Sequence, residues 1–301
     1  GLELFVYLQY LYREYFDSSE LKIPQPGFNI LNGGEHADSG LDIQEFMIMP
    51  LFSSIQDNVR AGSEVYHSLK KILKKEGFTV AVGDEGGFAP KLQANEEALK
   101  YIKVAVEKAG YELGRDVAIA LDAAATEFYD SKSGKYKMTN PVETLDGMDL
   151  LAKYKDWSTK YSIVSIEDPF SEDDFTSWKL MMQEMGDKVR IVGDDLLVTN
   201  VKRIQKAITD GLANAVLIKP NQIGSLFETF QAINLAHTNG LDCMISHRSG
   251  DTDDTFIADL GVATACKYIK SGALSRAERI AKYNRLIEIE QSLLQGDFVS
   301  I

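Results

Sequence analysis

One pattern constrains this 301-residue chain more than any other: a short apolar run, a polar turn, then an amphipathic helix, many times over. The apolar runs fall at 28–31, 45–49, 79–83, 117–121, 162–166, 190–193, 215–218 and 243–246, with a ninth at 267–272. Most are apolar throughout rather than alternating, as strands covered on both faces must be. Helical stripes lie between many of them. Residues 55–77 place Ile55, Val59, Leu69, Ile72 and Leu73 near one face, with Gly77 as a stop. Residues 95–110 begin with Asn95 as the expected N-cap and carry a Leu99/Ile102/Val106 stripe. Similar patterns follow at 200–210, 224–239, 253–266 and 276–294. This alternation predicts a parallel sheet, and so many units favour a closed TIM-type (β/α)8 barrel, an α/β fold of about 250 residues.

The opening departs from the rule. The runs at 28–31 and 45–49 are joined by NGGEHADSGLDIQ (32–44), which has no helical period, so they read as an antiparallel pair and the barrel starts ββ. Pro24 and Pro26 mark a joint with an N-terminal helix at about 1–16. The expected division is 1–24 for that helix and junction, and 25–301 for the barrel.

Composition excludes several classes. Apolar residues at 45% and charged residues at 26% are those of a globular chain, not a disordered one. A net charge of −13 makes nucleic acid and anionic membranes poor partners, although a local cluster of cations can still hold an anionic substrate. No apolar run approaches the roughly 20 residues of a membrane span. Two cysteines, Cys243 and Cys266, form no disulfide framework and suit a cytoplasmic setting as inert core residues. The first residues resemble no signal peptide and include no Met, which predicts a processed or truncated N-terminus.

In a parallel barrel the chemistry sits where strands end. Seven successive runs close on ionisable groups: Asp84-Glu85, Asp122, Glu167-Asp168, Asp194-Asp195, Lys219, His247-Arg248-Ser249 and Lys270. The intervals from Glu85 onward are 37, 45, 27, 25, 28 and 23 residues, each enough for a crossover helix with its loops. Capping would explain an isolated Asp, but not Lys219 or Lys270. Asp122, Glu167 and Asp194 offer the hard oxygens that Mg2+ takes; the alternative is three acids neutralised by Lys or Arg. The histidines His36, His67, His237 and His247 show no zinc spacing, and His67 and His237 read as structural. Lys219 can serve as a general base beside a metal, or else as the charge partner of Asp194. Glu85 can be the complementary acid, kept protonated by crowding with Glu45. Arg248, Ser249 and Lys270 make a local cationic pocket for a small anion. The Gly-rich stretch 32–40 matches no phosphate-loop motif.

These segments together resemble the enolase family, the phosphopyruvate hydratases of glycolysis. The resemblance rests on NILNGGEHADSGLDIQEFMIMP (29–50), VGDEGGFAP (82–90), IALDAAATEFYD (119–130), SIEDPFSEDD (165–174), VGDDLLVTN (192–200), LIKPNQIGS (217–225), SHRSGDTDDTFIADL (246–260) and IKSGALSRAERIAKYN (269–284). It implies a lyase that converts 2-phosphoglycerate to phosphoenolpyruvate. Lys219 would then remove the C2 proton and Glu85, supported by Glu45, would help the C3 hydroxyl leave. Asp122, Glu167 and Asp194 would hold Mg2+, with Gln44 beside them. Arg248 and Ser249 would clamp the phosphate, Lys270 would meet the carboxylate, and His36 and His247 would complete the pocket. The family barrel also opens ββαα.

The resemblance further implies an N-terminal α+β domain with a mobile loop ahead of such a barrel, and a homodimer for the longer protein. Nothing here matches that domain, and residues 1–16 look like its junction with the barrel. Two other readings compete. One is a relative in the wider superfamily acting on another carboxylate, against which the SHRS and IKSG segments speak. The other is a weakly active or inactive barrel that serves as a binding or interaction protein.

Overall fold

The computed structural model describes residues 1–17, 20–37 and 39–296. Eight strands close into a barrel: β1 (Gln25–Asn32), β2 (Glu45–Pro50), β3 (Val117–Asp122), β7 (Ile163–Glu167), β8 (Arg190–Gly193), β9 (Ala215–Ile218), β10 (Asp242–Ser246) and β11 (Tyr268–Lys270). Around the barrel the order is β1-β11-β10-β9-β8-β7-β3-β2. Every contact is parallel except those of β2, which runs antiparallel to both β1 and β3. The expected ββ opening is therefore present. Three short strands, β4 (Tyr129–Asp130), β5 (Lys135–Thr139) and β6 (Val142–Leu145), form a separate antiparallel sheet after β3.

The strands are apolar on both faces because each face meets a different core. Met47, Met49 and Ala120 fill one part of the barrel interior, and Val192, Ala215, Leu217 and Met244 another. The alternate residues Phe46, Ile48, Val216 and Ile218 point outward into the larger core under the helices. That layer includes α2 (Ile55–Lys75), α3 (Asn95–Lys108), α4 (Gly147–Tyr161), α5 (Phe175–Met185), α6 (Val201–Asp210), α8 (Leu226–Thr238), α9 (Phe256–Ala263) and α10 (Ala277–Gln295), with the short α7 (Pro220–Ile223) after β9. The helix α1 (Leu4–Arg13) buries Phe5, Leu8 and Tyr12, and Arg285 of α10 bonds both Glu3 and Asp259 to hold it. None of the helices among the described residues is long and apolar enough to cross a membrane. Cys243 and Cys266 are buried and free.

Three expectations need correction. Residues 79–83 do not form a strand; they lead into a turn whose only ladder contacts are isolated bridges, Val82 to Phe88 and Leu31 to Phe88. The cause is the reversal of β2. Because β2 descends where its neighbours ascend, α2 leaves from the far end of the barrel and the segment between α2 and α3 comes back to the end where the other strands finish. Glu85 therefore reaches the mouth on a helix–helix connection, not at the end of a strand. Asn95 is not the N-cap of α3, a place taken by Ala94. Its amide instead accepts from the backbone of Asp42 and Ile43 and donates to the Asp42 carboxylate, tying α3 to the 33–44 loop. The helices at 147–161 and 175–185 and the small sheet at 129–145 had no counterpart in the helical and strand patterns singled out above.

Candidate active site

The carboxylates form a row because the barrel register demands it. Glu45 begins β2 and stands opposite Asp122, the last residue of β3, which stands beside Glu167, the last residue of β7. All three are buried. Lys270, ending β11, crosses the mouth to meet them: its ammonium lies 2.8 Å from Glu167, 3.1 Å from Asp122 and 3.5 Å from Glu45. Burial opposes its charge, but Glu167, Glu45 and Asp122 outweigh that and hold the lysine well above its ordinary range. Burial pushes Glu167 up, and the neighbouring Asp122 adds to it.

Asp194 follows β8 and carries Lys219, which ends the next strand round, at 2.5 Å. The charge-partner alternative for Lys219 is thus realised geometrically, as is a lysine among the acids. The backbone that aims Asp194 is fixed by Asp168, whose φ of +40° turns its carboxylate to accept the N–H groups of Asp194 and Asp195 at 2.9 and 2.7 Å. Burial and the charge on Asp194 hold Asp168 well above the usual carboxylate range and push Asp195 up to about 6.

Glu85 occupies the opposite side. Its turn needs glycine: Gly86 has φ +83°, and a Cβ on Gly87 would sit 1.9 Å from Asn32 Oδ1. Asn29 of β1 donates to Glu85 Oε2 at 2.9 Å, and His247 Nε2 lies 3.4 Å from Oε1. His36 Nδ1 approaches both Glu45, at 3.7 Å, and Glu85, at 3.9 Å. Burial raises Glu45, the adjacent Glu85 charge raises it further, and Lys270 only partly offsets them. Burial alone would raise Glu85 too, but His247, His36 and Lys270 hold it well below the usual range. Crowding is therefore present as expected, and it pushes the two carboxyls in opposite directions, Glu45 up and Glu85 down.

The remaining residues lie around this centre. Arg248 is half-buried and bonds Asn221 Oδ1 at 3.0 Å; Ser249 is exposed beside it. Gln44 is half-buried, and its backbone N–H donates to the Asp122 carbonyl. The structure thus gathers the carboxylates, both lysines, Glu85 and His247 at the mouth, with His36 on its loop above. Sequence reasoning missed Asn29 and Arg279. Arg279 is a buried guanidinium of α10 that bonds the backbone of Asp84, Arg248 and Ser249.

The family profile described as "Enolase, C-terminal TIM barrel domain" matches residues 20–298. The chain belongs to the enolase family of lyases. It is 50% identical to the enolases of Nitratiruptor and Helicobacter hepaticus and 49% identical to that of Sulfurimonas denitrificans. Each match runs over 290 residues, 96% of this chain and 68% of the relative.

A divalent cation fits this enolase barrel by its donor chemistry. Glu167 Oε2 and Asp194 Oδ1 are buried oxygens with no hydrogen-bond partner. Both are hard, anionic and placed at the ends of adjacent strands. The other oxygen of each carboxylate meets a lysine, so what these two atoms lack is a donor or a cation of their own, which buried polar atoms require.

Proposed function

We propose that the chain catalyses the Mg2+-dependent dehydration of 2-phosphoglycerate to phosphoenolpyruvate. The observation that carries this reading is the division of the mouth: Lys219 against Asp194 on one side, and the Glu45–Glu85 pair, with one raised and one lowered carboxyl, on the other.

Lys219 acts as the base and takes the proton from C2 onto its side-chain nitrogen. Asp122, Glu167 and Asp194 would hold the Mg2+, which would supply positive charge against the charge developing on the substrate carboxylate. Lys270 sits among the same acids and directs its remaining charge to that carboxylate. The electron pair left at C2 forms the C2–C3 double bond as the C3–O bond breaks. Glu85 delivers a proton to the departing hydroxyl, which leaves as water. Glu45 holds that proton in reserve, which is the use of its raised affinity. Arg248 and Ser249 bind the phosphate, Gln44 borders the metal, and His36 and His247 close the acid side.

Exchange of the C2 proton in D2O, followed by NMR beside product formation, tests the assignment. Lys219→Ala should abolish exchange, while Glu85→Gln should retain exchange and lose product formation by about 10²–10⁴-fold. Exchange at the parent rate in Lys219→Ala would remove the base assignment.

A further inference from the structure

Helix α10 supplies a group that the reaction above leaves unused. Arg279 lies in its first turn and is 1% exposed. Its Nη1 donates to His247 Nδ1 at 2.6 Å and to the Arg248 carbonyl at 2.7 Å. Its Nη2 donates to the carbonyls of Asp84, at 2.9 Å, and Ser249, at 2.6 Å. Each terminal nitrogen of a guanidinium has two hydrogens, so both forks are fully used. The four acceptors come from two segments remote in sequence, the turn carrying Glu85 and the loop carrying His247, Arg248 and Ser249.

A guanidinium has no acceptor and does not lose its proton in proteins. The His247 nitrogen facing it must therefore offer a lone pair, which puts the ring hydrogen on Nε2. That nitrogen is the one facing Glu85 Oε1 at 3.4 Å. A proton on Nδ1 would set two donors against each other at 2.6 Å.

We propose that Arg279 is a positioning residue for the acid half of the reaction, fixing His247 as its Nε2–H tautomer and holding the Glu85 turn and the 247–249 loop at one spacing. The role rests on the assignment of Glu85 given above. His247 then turns its Nε2–H toward Glu85 Oε1, 3.4 Å away, the nitrogen having no other hydrogen-bond partner. Burial lowers the affinity of His247 for a second proton, the Glu85 carboxylate opposes it, and Arg279 and Lys270 add to the burial. A lysine could not replace this arrangement, because three hydrogens on one nitrogen cannot span four acceptors in two segments.

Long-range 1H–15N correlation spectra of the 15N-histidine protein read the tautomer directly, with His247 assigned by the signal lost in His247→Gln. The expected parent spectrum shows a bare Nδ1 and a protonated Nε2, unchanged from about pH 6 to 8. In Arg279→Lys, the tautomers should mix and kcat should fall about 10²-fold, as for a displaced catalytic group. An Nδ1–H parent spectrum would overturn the proposal, even if the variant failed to fold. So would a folded Arg279→Lys protein that changed the tautomer without kcat, or kcat without the tautomer. Failure of the reaction assignment looks different: the parent would show the Nε2–H tautomer and have no activity on 2-phosphoglycerate.

Discussion

Replacing Lys270 by Met is the sharpest perturbation of the site's electrostatics. The side chain keeps much of its volume and loses its charge, leaving Glu45, Asp122 and Glu167 around an apolar group. The three oxygens now 2.8 to 3.5 Å from the ammonium lose their counter-charge in a buried place. Removing one partner from a buried ion set costs about 3–5 kcal/mol. Unfolding entropy of about 2.1 cal/mol/K per residue gives roughly 0.6 kcal/mol/K for this chain, so Tm should drop by about 5–8 °C. The loss should be larger at high pH. Burial raises Glu45 and Glu167, so as pH falls protons take over the neutralisation and the deficit shrinks. Thermal unfolding in EDTA and in saturating Mg2+ checks the argument. Mg2+ should recover more of the variant's Tm than it adds to the parent, because in the parent the ion competes with Lys270 for Asp122 and Glu167. An unchanged Tm in EDTA, or the same deficit with and without Mg2+, would refute the view that Lys270 acts through charge.

Other measurements test separate parts of the mouth. Titration calorimetry should show Mg2+ binding that Asp194→Ala weakens by about tenfold or more; equal affinity would remove Asp194 from the metal site. Asp195 has a folded pKa of about 6 against an ordinary 3.8, so the native chain binds the extra proton more tightly. Its stabilising contribution is complete below about pH 4 and is lost as pH rises through 6. In EDTA, Asp195→Asn should therefore match the parent at low pH and exceed its Tm at pH ~7. A parallel pH profile for the two proteins would contradict that assignment.

Eight of the nine apolar runs became barrel strands, because a strand buried on both faces leaves an unbroken apolar signature. The exception, 79–83, carries the same signature without the burial: Thr79, Ala81 and Val82 are exposed on a connection whose Phe88, not this run, bridges to β1. Local pattern cannot separate the two. Glu85 was found for the wrong structural reason, through the assumption that it closed a strand. Asn95 was misplaced because an Asn before a helical stripe looks like a cap, while its partners, Asp42 and Ile43, lie more than fifty residues away. Arg279 did leave a trace. With Lys282, Tyr283, Leu286 and Ile289 it falls on the buried stripe of α10, so two charged residues stand where a helix should be apolar. Such a breach of the pattern marks a buried polar role, here the support of the active-site loops. Asn29 leaves none, since one amide in an apolar strand has no periodic signature.

The reversal of β2 has a consequence for how this scaffold can change. In a regular barrel each strand contributes one connection to the catalytic end. Here the reversed strand gives the catalytic end two neighbouring connections, 33–44 and 76–94, and turns the beginning of a strand, Glu45, toward the same rim. Those two connections and that strand start carry His36, Gln44, Glu45 and Glu85, whereas Asp122, Glu167, Asp194 and Lys219 come from ordinary strand ends. The two halves of the proposed chemistry thus come from different parts of the architecture. One half is locked to the strand register and tolerates no slippage. The other is borne largely on loops, where a change of length moves no strand. Under the proposed mechanism, a barrel of this kind can exchange the group that departs from its substrate while keeping the machinery that removes the proton.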